Sequence, residues 1–117
     1  MSLILNTGVY PPLLETRKLV LEQAGHVVVT KTEDSEIARA CEEYQFDVVV
    51  IGQSASAPVK RQILRQVRLH CRSVKVLELF SSDFGKALPG ADSWLEIDPM
   101  EADELPVRVS ELASGRR

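Results

Sequence analysis

The stretch Phe46-Asp47-Val48-Val49-Val50-Ile51-Gly52 decides the fold of this chain. Its four β-branched residues form an unbroken apolar run, whereas a strand with one face in water alternates apolar and polar side chains. An unbroken run of this length is typical of a strand that is buried on both faces of a parallel sheet. We therefore predict a strand over Val48–Ile51 within such a sheet.

Further short runs of the same kind occur on either side of this stretch. They predict four more strands, at Leu3–Asn6, Val27–Thr30, Val74–Phe80 and, with a weaker pattern, Trp94–Ile97.

Segments with helical periodicity separate most of these runs. The first helix begins at Pro11 and Pro12, since proline is tolerated in a first turn, and ends at Ala24 before Gly25. The others begin at Asp34 or Ser35, at Pro58 and after Pro99, and their apolar stripes are Ile37–Ala40–Cys41–Tyr44, Ile63–Val67–Cys71 and Ala102–Leu105–Val109–Leu112. Pro106 interrupts the last helix unless it falls in the first turn.

This alternation of strands and helices predicts an open α/β sheet with helices on both faces. Only the segment Ser81–Ser93 separates the fourth strand from the fifth, and it contains Gly85, Pro89 and Gly90. A full crossover helix with its loops barely fits there, so we expect at most one or two turns of helix.

Composition limits the class of protein. The 117 residues carry 14 Lys+Arg and 17 Asp+Glu, a net charge of −3, and 44% are hydrophobic, which is typical of one folded domain over residues 1–117. The mild acidity disfavours a dedicated nucleic-acid-binding protein. No apolar run approaches the roughly 20 residues of a membrane span and no signal peptide opens the chain, so we expect a cytoplasmic domain without membrane contact.

The two cysteines, Cys41 and Cys71, lie 30 positions apart without a Cys-x-x-Cys motif. We expect neither a disulfide scaffold nor a zinc site, and we assign both cysteines to the apolar core.

Three segments resemble the receiver domains of bacterial response regulators. Leu21–Val28 resembles the exit of the family's first helix into its second strand, Phe46–Ile51 resembles its third strand, and Gly90–Leu95 resembles the segment that enters its fifth strand. The resemblance implies a flavodoxin-like, three-layer α/β/α sandwich with a five-stranded parallel sheet in the order 2-1-3-4-5, here with a shortened fourth helix.

The residues that would carry the family's phosphorylation chemistry do not match. The Mg²⁺-binding acidic pair falls on Gly8 and Val9, or on Asn6 and Thr7 if the alignment shifts by two, and the phosphoacceptor falls on Gly52. The switch Ser/Thr falls on Glu78 or Leu79, with Ser81 matching only after a further shift. The family's lysine is replaced near Asp98-Pro99.

These replacements predict a degenerate receiver without phosphotransfer, metal, cofactor or enzymatic activity. The main hypothesis is a pseudo-receiver that acts by protein–protein interaction, including self-association as a homodimer. The alternatives are a small-ligand sensor and a regulatory fragment of a larger protein.

The ligand-sensor hypothesis rests on the loop Gly52–Pro58 and on Gly8. Gln53, Ser54 and Ser56, with the N–H groups at the start of the next helix, could bind an anion or a nucleotide at this edge of the sheet. The alternative is a relaxed loop that remains after the phosphorylation site was lost.

The charges are distributed unevenly along the chain. The segment Pro58–Leu77 has no acidic residue and six basic ones: Lys60, Arg61, Arg65, Arg68, Arg72 and Lys75. The segment Asp83–Glu111 has eight acidic residues and only Lys86 and Arg108 as basic ones.

Such a domain could dock a charged partner or pair head-to-tail with itself, and the alternative is a solvated helix face. The interface candidates are Lys60, Arg61, Arg65 and Arg68, with Phe84 and Trp94 as apolar anchors unless the short loop buries them. Nucleic-acid binding through this helix would be weak, because few phosphates are reached and no aromatic side chain stacks on bases.

Overall fold

Strands and helices alternate in a computed structural model that describes residues 2–83, 85–97 and 104–115. In these residues the elements are β1 (Leu3–Thr7), α1 (Pro11–Gln23), β2 (Val27–Lys31), α2 (Asp34–Glu43), β3 (Val48–Ile51), α3 (Ala57–His70), β4 (Lys75–Phe80), β5 (Ser93–Glu96) and α4 (Glu104–Ala113). Every predicted strand is confirmed to within a residue or two.

The sheet is parallel throughout, in the order β2-β1-β3-β4-β5, as the resemblance implied. Thr7 pairs with Ile51 and Ile51 with Glu78, and Glu78 pairs with Trp94. This register places the carboxyl ends of β1, β3 and β4 side by side at one edge, where open α/β sheets bind their ligands.

The central strand β3 supplies both halves of the core. Val49 and Ile51 pack with α2 and α3 on one face, whereas Val48 and Val50 pack with α1 and α4 on the other. All four residues are fully buried, so the unbroken apolar run has the two-sided burial that it predicted.

The connection between β4 and β5 has no helix in its described residues, 81–83 and 85–92. At the sequence level we expected at most one or two turns there. Glycines and prolines disfavour helix, and buried hydrogen bonds described below hold the connection instead.

The expectation about the cysteines was wrong in one respect. Cys41 and Cys71 form a disulfide, with their Cα atoms 4.6 Å apart. The helices α2 and α3 pack side by side on the same face, so the last turn of α2 lies against the C-cap of α3. Spacing along the chain could not reveal this proximity. Cys41 is still buried in the core, as predicted.

The ends of the helices follow the sequence signals. Pro11 and Pro12 open α1, and Gly25 follows its end with φ 94°. Pro106 lies in the first turn of α4 and does not interrupt it. In the part of the chain that the structure describes, no helix is long and apolar enough to span a bilayer.

Candidate functional site

Gly8 and Gly52 meet at the carboxyl edge of the sheet, as the resemblance implied. The N–H of Gly52 donates to the carbonyl oxygen of Thr7 at 3.0 Å. A Cβ atom built on Gly8 would lie 3.8 Å from the Cα of Gly52. Val9 points away and is half exposed. The first and third strands therefore bring together the two positions that matched the metal-binding and phosphoacceptor groups.

The side chain of Arg17 fills the space beside these glycines. Arg17 lies on α1 between Leu14 and Leu21 on the buried side of the helix, and only 5% of it is exposed. Its Nη1 donates to Asn6 Oδ1 at 2.8 Å and to the carbonyl oxygen of Thr7 at 3.2 Å. Its Nη2 donates to Gln53 Oε1 at 3.1 Å. The end of β1 and the loop after β3 are thus joined through one guanidinium group.

The guanidinium of Arg17 lies where a side chain of residue 52 would begin. A Cβ atom at this position would lie 2.9 Å from Arg17 Nη2 and 3.2 Å from Nη1. Contacts this short force a shift of the guanidinium group, which three acceptors hold in place. An aspartate at position 52 would therefore require the guanidinium of Arg17 to move from its present position.

Arg17 keeps its positive charge in this buried place. Desolvation lowers its pKa to about 10, which leaves the guanidinium protonated at neutral pH. The chemistry of the site is that of a fixed internal cation bound by neutral oxygens of Asn6, Thr7 and Gln53.

A Mg²⁺ ion, which the fold family implies, does not fit these residues. Mg²⁺ binds through carboxylates with water or phosphate oxygens, and Asn6, Thr7, Gly8 and Gly52 supply no carboxylate. Arg17 adds a positive charge at the same place. Within the described residues, no three His, Cys, Asp or Glu side chains are grouped as metal ligands.

Sequence reasoning missed Arg17. The available signal was its position three residues after Leu14 and four before Leu21, which places a basic side chain on the apolar stripe of α1. That signal indicates burial, but it does not reveal the acceptors, because they come from two other segments, β1 and the loop after β3.

A buried ion pair lies on the other face of the sheet. Lys60 Nζ on α3 donates to Glu78 Oε2 at 2.8 Å and to the carbonyl oxygen of Leu79 at 2.8 Å. Lys60 is 3% exposed and Glu78 is fully buried. The prediction that Lys60 belongs to a surface interface was therefore wrong, since α3 places it on the core side with Ile63 and Val67.

The carboxylate of Glu78 also holds the connection between β4 and β5. Its Oε2 accepts from the N–H of Ala87 at 2.8 Å, and its Oε1 accepts from the N–H of Leu88 at 2.9 Å. These bonds satisfy backbone groups that a helix would otherwise have paired internally. Glu78 matched the family's switch position, yet its side chain faces α3 and the connection and makes no contact with Arg17.

The predicted ligand loop is occupied by structural contacts. Gln53 is half buried and accepts from Arg17. Ser56 is the N-cap of α3, and its Oγ accepts from the N–H of Val59 at 3.4 Å. Ser54 is exposed. Two of the three polar side chains in this loop therefore stabilise the fold.

The space for a small molecule lies beyond Arg17, not between the two glycines. A cavity of about 560 Å³ opens between α1, the ends of β4 and β5, and α4. Arg17, Gln53 and Ser81 contribute polar groups to its wall, and the exposed Asp83 and Glu96 add negative charge.

The remaining basic interface candidates are exposed, but one of them is also held by hydrogen bonds within the fold. Arg61 and Arg65 are exposed, as predicted. Arg68 is exposed but donates to the carbonyl oxygens of Val74 and Gly90 and to Asp92 Oδ2. Burial alone would raise the pKa of the Asp92 carboxyl, but the N–H of Val76 and the Arg68 guanidinium outweigh it and lower that pKa.

Trp94 is half buried instead of an exposed anchor. Its Nε1–H donates to the carbonyl oxygen of Leu88 at 2.9 Å, and its ring packs against the core. Lys86 Nζ lies 5.3 Å from the centre of the ring. Phe84 and Asp98, the other two candidate residues of this region, lie outside the described residues.

Comparison with solved structures identifies the fold. The response regulator TrrA from Thermotoga maritima, solved with Mg²⁺-BeF, is 21% identical, with a TM-score of 0.78 over 96% of this chain and 99% of that chain. The same regulator in complex with the histidine kinase ThkA gives 19% identity and a TM-score of 0.77, over 96% and 98%.

The receiver domain of a sensor histidine kinase from Pseudomonas aeruginosa PAO1, with a magnesium ion in its active-site cleft, is 16% identical. Its TM-score is 0.78 over 97% of this chain and 98% of that chain. No family model and no curated protein matches the sequence. The chain thus has the fold of response-regulator receiver domains.

Proposed function

We propose that this chain is a receiver-like signalling domain that acts by protein–protein interaction and is not phosphorylated. The observation that carries the proposal is the buried guanidinium of Arg17 beside Gly52. It occupies the place where a receiver would hold a phosphoryl group and its metal ion, and it is bound by neutral oxygens.

The proposal follows from what phosphorylation of a receiver requires. A carboxylate must attack the phosphoryl group, and carboxylates must hold the Mg²⁺ that neutralises it. Gly52 supplies no nucleophile, and Asn6, Thr7 and Gly8 supply no anionic ligand. A domain of this kind has no catalytic role and no cofactor, and its signal is the surface that it presents to a protein partner.

The ion pair between Lys60 and Glu78 supports an interaction surface that keeps one conformation without an activating signal. It ties α3 to β4 and to the connection at Ala87 and Leu88, so both elements hold one arrangement without a switch at the carboxyl edge. The partner would then be selected by shape and charge alone.

Incubation with beryllofluoride or acetyl phosphate and Mg²⁺ tests the proposal. Trp94 fluorescence reports on the β4–β5 region, and intact-mass measurement reports on acyl phosphate. We expect no saturable, Mg²⁺-dependent change in either. The Thermotoga regulator, which was solved with Mg²⁺-BeF, is the positive control. A saturable change that requires Mg²⁺ would show that phosphorylation chemistry persists.

The cavity beside Arg17 favours ligand sensing as a second candidate function. A volume of about 560 Å³ is within the usual range for small-molecule sites, roughly 300–1,000 Å³. Asp83 and Glu96 at its rim disfavour polyphosphates such as nucleotides, and favour a small neutral or zwitterionic molecule. A thermal-shift screen with amino acids and nucleotides tests this idea, and no stabilisation at millimolar concentration would reject it.

A further inference from the structure

A groove with an apolar floor and basic walls runs beside α3, where the connection between β4 and β5 has no helix in its described residues. It encloses about 350 Å³. Its lining consists of Arg61, Leu64, Arg65, Arg68 and the segment from Ala87 to Gly90. We refer to these residues as the α3 groove.

Two of the arginines in the α3 groove have charges available to a partner. Arg61 and Arg65 form no ion pair with any described residue, and Arg65 donates only to the neutral Gln62 at 3.1 Å. Arg68 is partly neutralised by Asp92 at 3.1 Å. The groove therefore attracts a negatively charged segment that also presents an apolar side chain.

The outer face of α4 has this combination. Glu104, Val107 and Glu111 lie at positions i, i+3 and i+7, so they share one side of the helix, and Val107 is 60% exposed. Arg108 lies on the same side, and its Nε is 3.8 Å from Glu111 Oε1, so the charge of Glu111 is partly neutralised. The Nη1 of Arg108 donates to Ser93 Oγ and to the carbonyl oxygen of Trp94, which directs the rest of the guanidinium toward the sheet. We refer to Glu104, Val107 and Glu111 as the α4 stripe.

The α3 groove and the α4 stripe have matching spacings. In α3 an apolar residue, Leu64, follows Arg61 by three positions and precedes Arg68 by four. In the α4 stripe Val107 follows Glu104 by three and precedes Glu111 by four. Each set spans two helical turns, or roughly 10 Å. Two helices laid side by side can thus place one carboxylate against Arg61 and Arg65, which lie one turn apart, while Leu64 meets Val107. The other carboxylate then lies near Arg68, which also pairs with Asp92.

We propose that the α4 stripe of one copy of this chain docks into the α3 groove of a second copy. This inference rests on the proposed function and names the partner as the chain itself. Because α3 and α4 lie on opposite faces of the sheet, the contact is head-to-tail and continues from copy to copy, forming rings or short filaments. Exposed ion pairs are weak and screened by salt, so the association is weak and reversible.

Two neutralised variants test this arrangement. Arg61→Gln/Arg65→Gln removes the charges of the α3 groove, and Glu104→Gln/Glu111→Gln removes those of the α4 stripe. Arg68 is left intact because it also holds Gly90 and Asp92. Sedimentation velocity measures the mass of each protein, and circular dichroism confirms that each is folded.

We expect the wild-type mass to rise with concentration and to fall toward the monomer in about 0.5 M NaCl. Each variant alone should bind itself at least tenfold more weakly. An equimolar mixture should form a one-to-one dimer and nothing larger, since only one intact groove and one intact stripe remain.

A wild-type chain that stays monomeric up to about 1 mM would overturn the proposal and leave the groove to another acidic protein. Variants that associate like the wild type, or a mixture that does not pair, would also overturn it. The beryllofluoride experiment is independent of this one. A monomeric wild type would overturn only the self-association, whereas a response to beryllofluoride would overturn only the proposed function.

Discussion

At the scale of single residues, the fold buries two basic side chains, Arg17 and Lys60. Each lies on the buried side of a helix, and each donates to oxygens from other segments of the chain. Burying a charge is costly unless hydrogen bonds and counter-charges compensate for it. Arg17 has only neutral acceptors, whereas Lys60 has a carboxylate, so removing the two side chains should have different consequences.

Arg17→Met should lower the free energy of unfolding by about 2 kcal/mol. The change leaves Asn6 Oδ1 and Gln53 Oε1 without their donor, while relief from burying the cation offsets part of the loss. Urea denaturation measures the difference. The control is Arg39→Met on the exposed side of α2, which should change stability by less than about 0.5 kcal/mol. Equal effects of the two variants would show that Arg17 is not held as described.

Lys60→Met and Glu78→Gln should each lower the free energy of unfolding by about 3 kcal/mol or more. The first leaves a buried carboxylate without its cation. The second places an amide NH₂ against one of the N–H donors of Ala87 and Leu88. The double variant should cost less than the sum, with a coupling of about 1–3 kcal/mol.

Urea denaturation of the four proteins completes this double-mutant cycle, with Arg72→Met in the exposed bend after α3 as the control. Strict additivity would contradict a direct pair between Lys60 and Glu78.

At the scale of elements, the disulfide joins the ends of α2 and α3. It closes a loop with a sequence separation of 30 residues between Cys41 and Cys71. Loop-closure entropy for a loop of this size corresponds to about 3 kcal/mol of stability. The disulfide lies at the amino edge of the sheet and Arg17 lies at the carboxyl edge. We therefore expect their contributions to the free energy of unfolding to be independent.

Cys41→Ala/Cys71→Ala should therefore unfold at lower urea concentration than the oxidised wild type, by about 3 kcal/mol in the free energy of unfolding. Dithiothreitol should destabilise the wild type and leave the double variant unchanged. Titration with a thiol reagent under denaturing conditions verifies the oxidation state. A wild type that is insensitive to dithiothreitol would contradict the cross-link.

Most elements were predictable because their signals are local. Apolar runs, periodicity, prolines at helix starts and Gly25 all act within a few residues, and they indicated five strands and four helices. The disulfide and the buried pair of Lys60 and Glu78 were not predictable from the same patterns. They depend on which turns of α2, α3 and β4 lie side by side, and this is set by packing between segments far apart in the chain.

At the scale of the whole molecule, His26 links the start of β2 to the last helix. It is buried, its Nε2 lies 3.2 Å from Ser110 Oγ on α4, and its Nδ1 has no hydrogen-bond partner among the residues that the structure describes. Desolvation lowers the pKa of His26 below its usual value of 6.5, because the protonated ring would be a buried charge. The negative charge of Asp47 acts in the opposite direction but does not outweigh the desolvation.

Stability should therefore depend on pH through His26. Its pKa is lower in the folded chain, so the unfolded chain binds more protons below pH 6.5. The free energy of unfolding then decreases as the pH falls from 6.5 through the folded pKa, by at most about 1.4 kcal/mol per pH unit. His26→Gln should flatten this part of the profile while the exposed pair of His70 and Glu42 remains. An unchanged profile would contradict the assignment.

At the scale of the whole molecule, the sheet separates the charges of α3 from those of α4. The basic residues of α3 lie on one face and the acidic residues of α4 on the other, so the net charge of −3 conceals one basic helix and one acidic helix on opposite faces. This placement of the α3 and α4 charges on opposite faces favours the head-to-tail contact between copies that we propose.

The sequence by itself determined the order of strands and helices, the two-sided burial of β3 and the absence of carboxylates at Gly8, Val9 and Gly52, which match the family's metal-binding and phosphoacceptor positions. Those properties depend on residue type and on spacing within short segments. Only the tertiary structure decided that Arg17 fills the space at Gly52, that Lys60 is buried on Glu78, and that Cys41 meets Cys71. Each of these contacts joins segments from different strands and helices, and a buried polar group is stable only where its partners are brought within hydrogen-bonding distance.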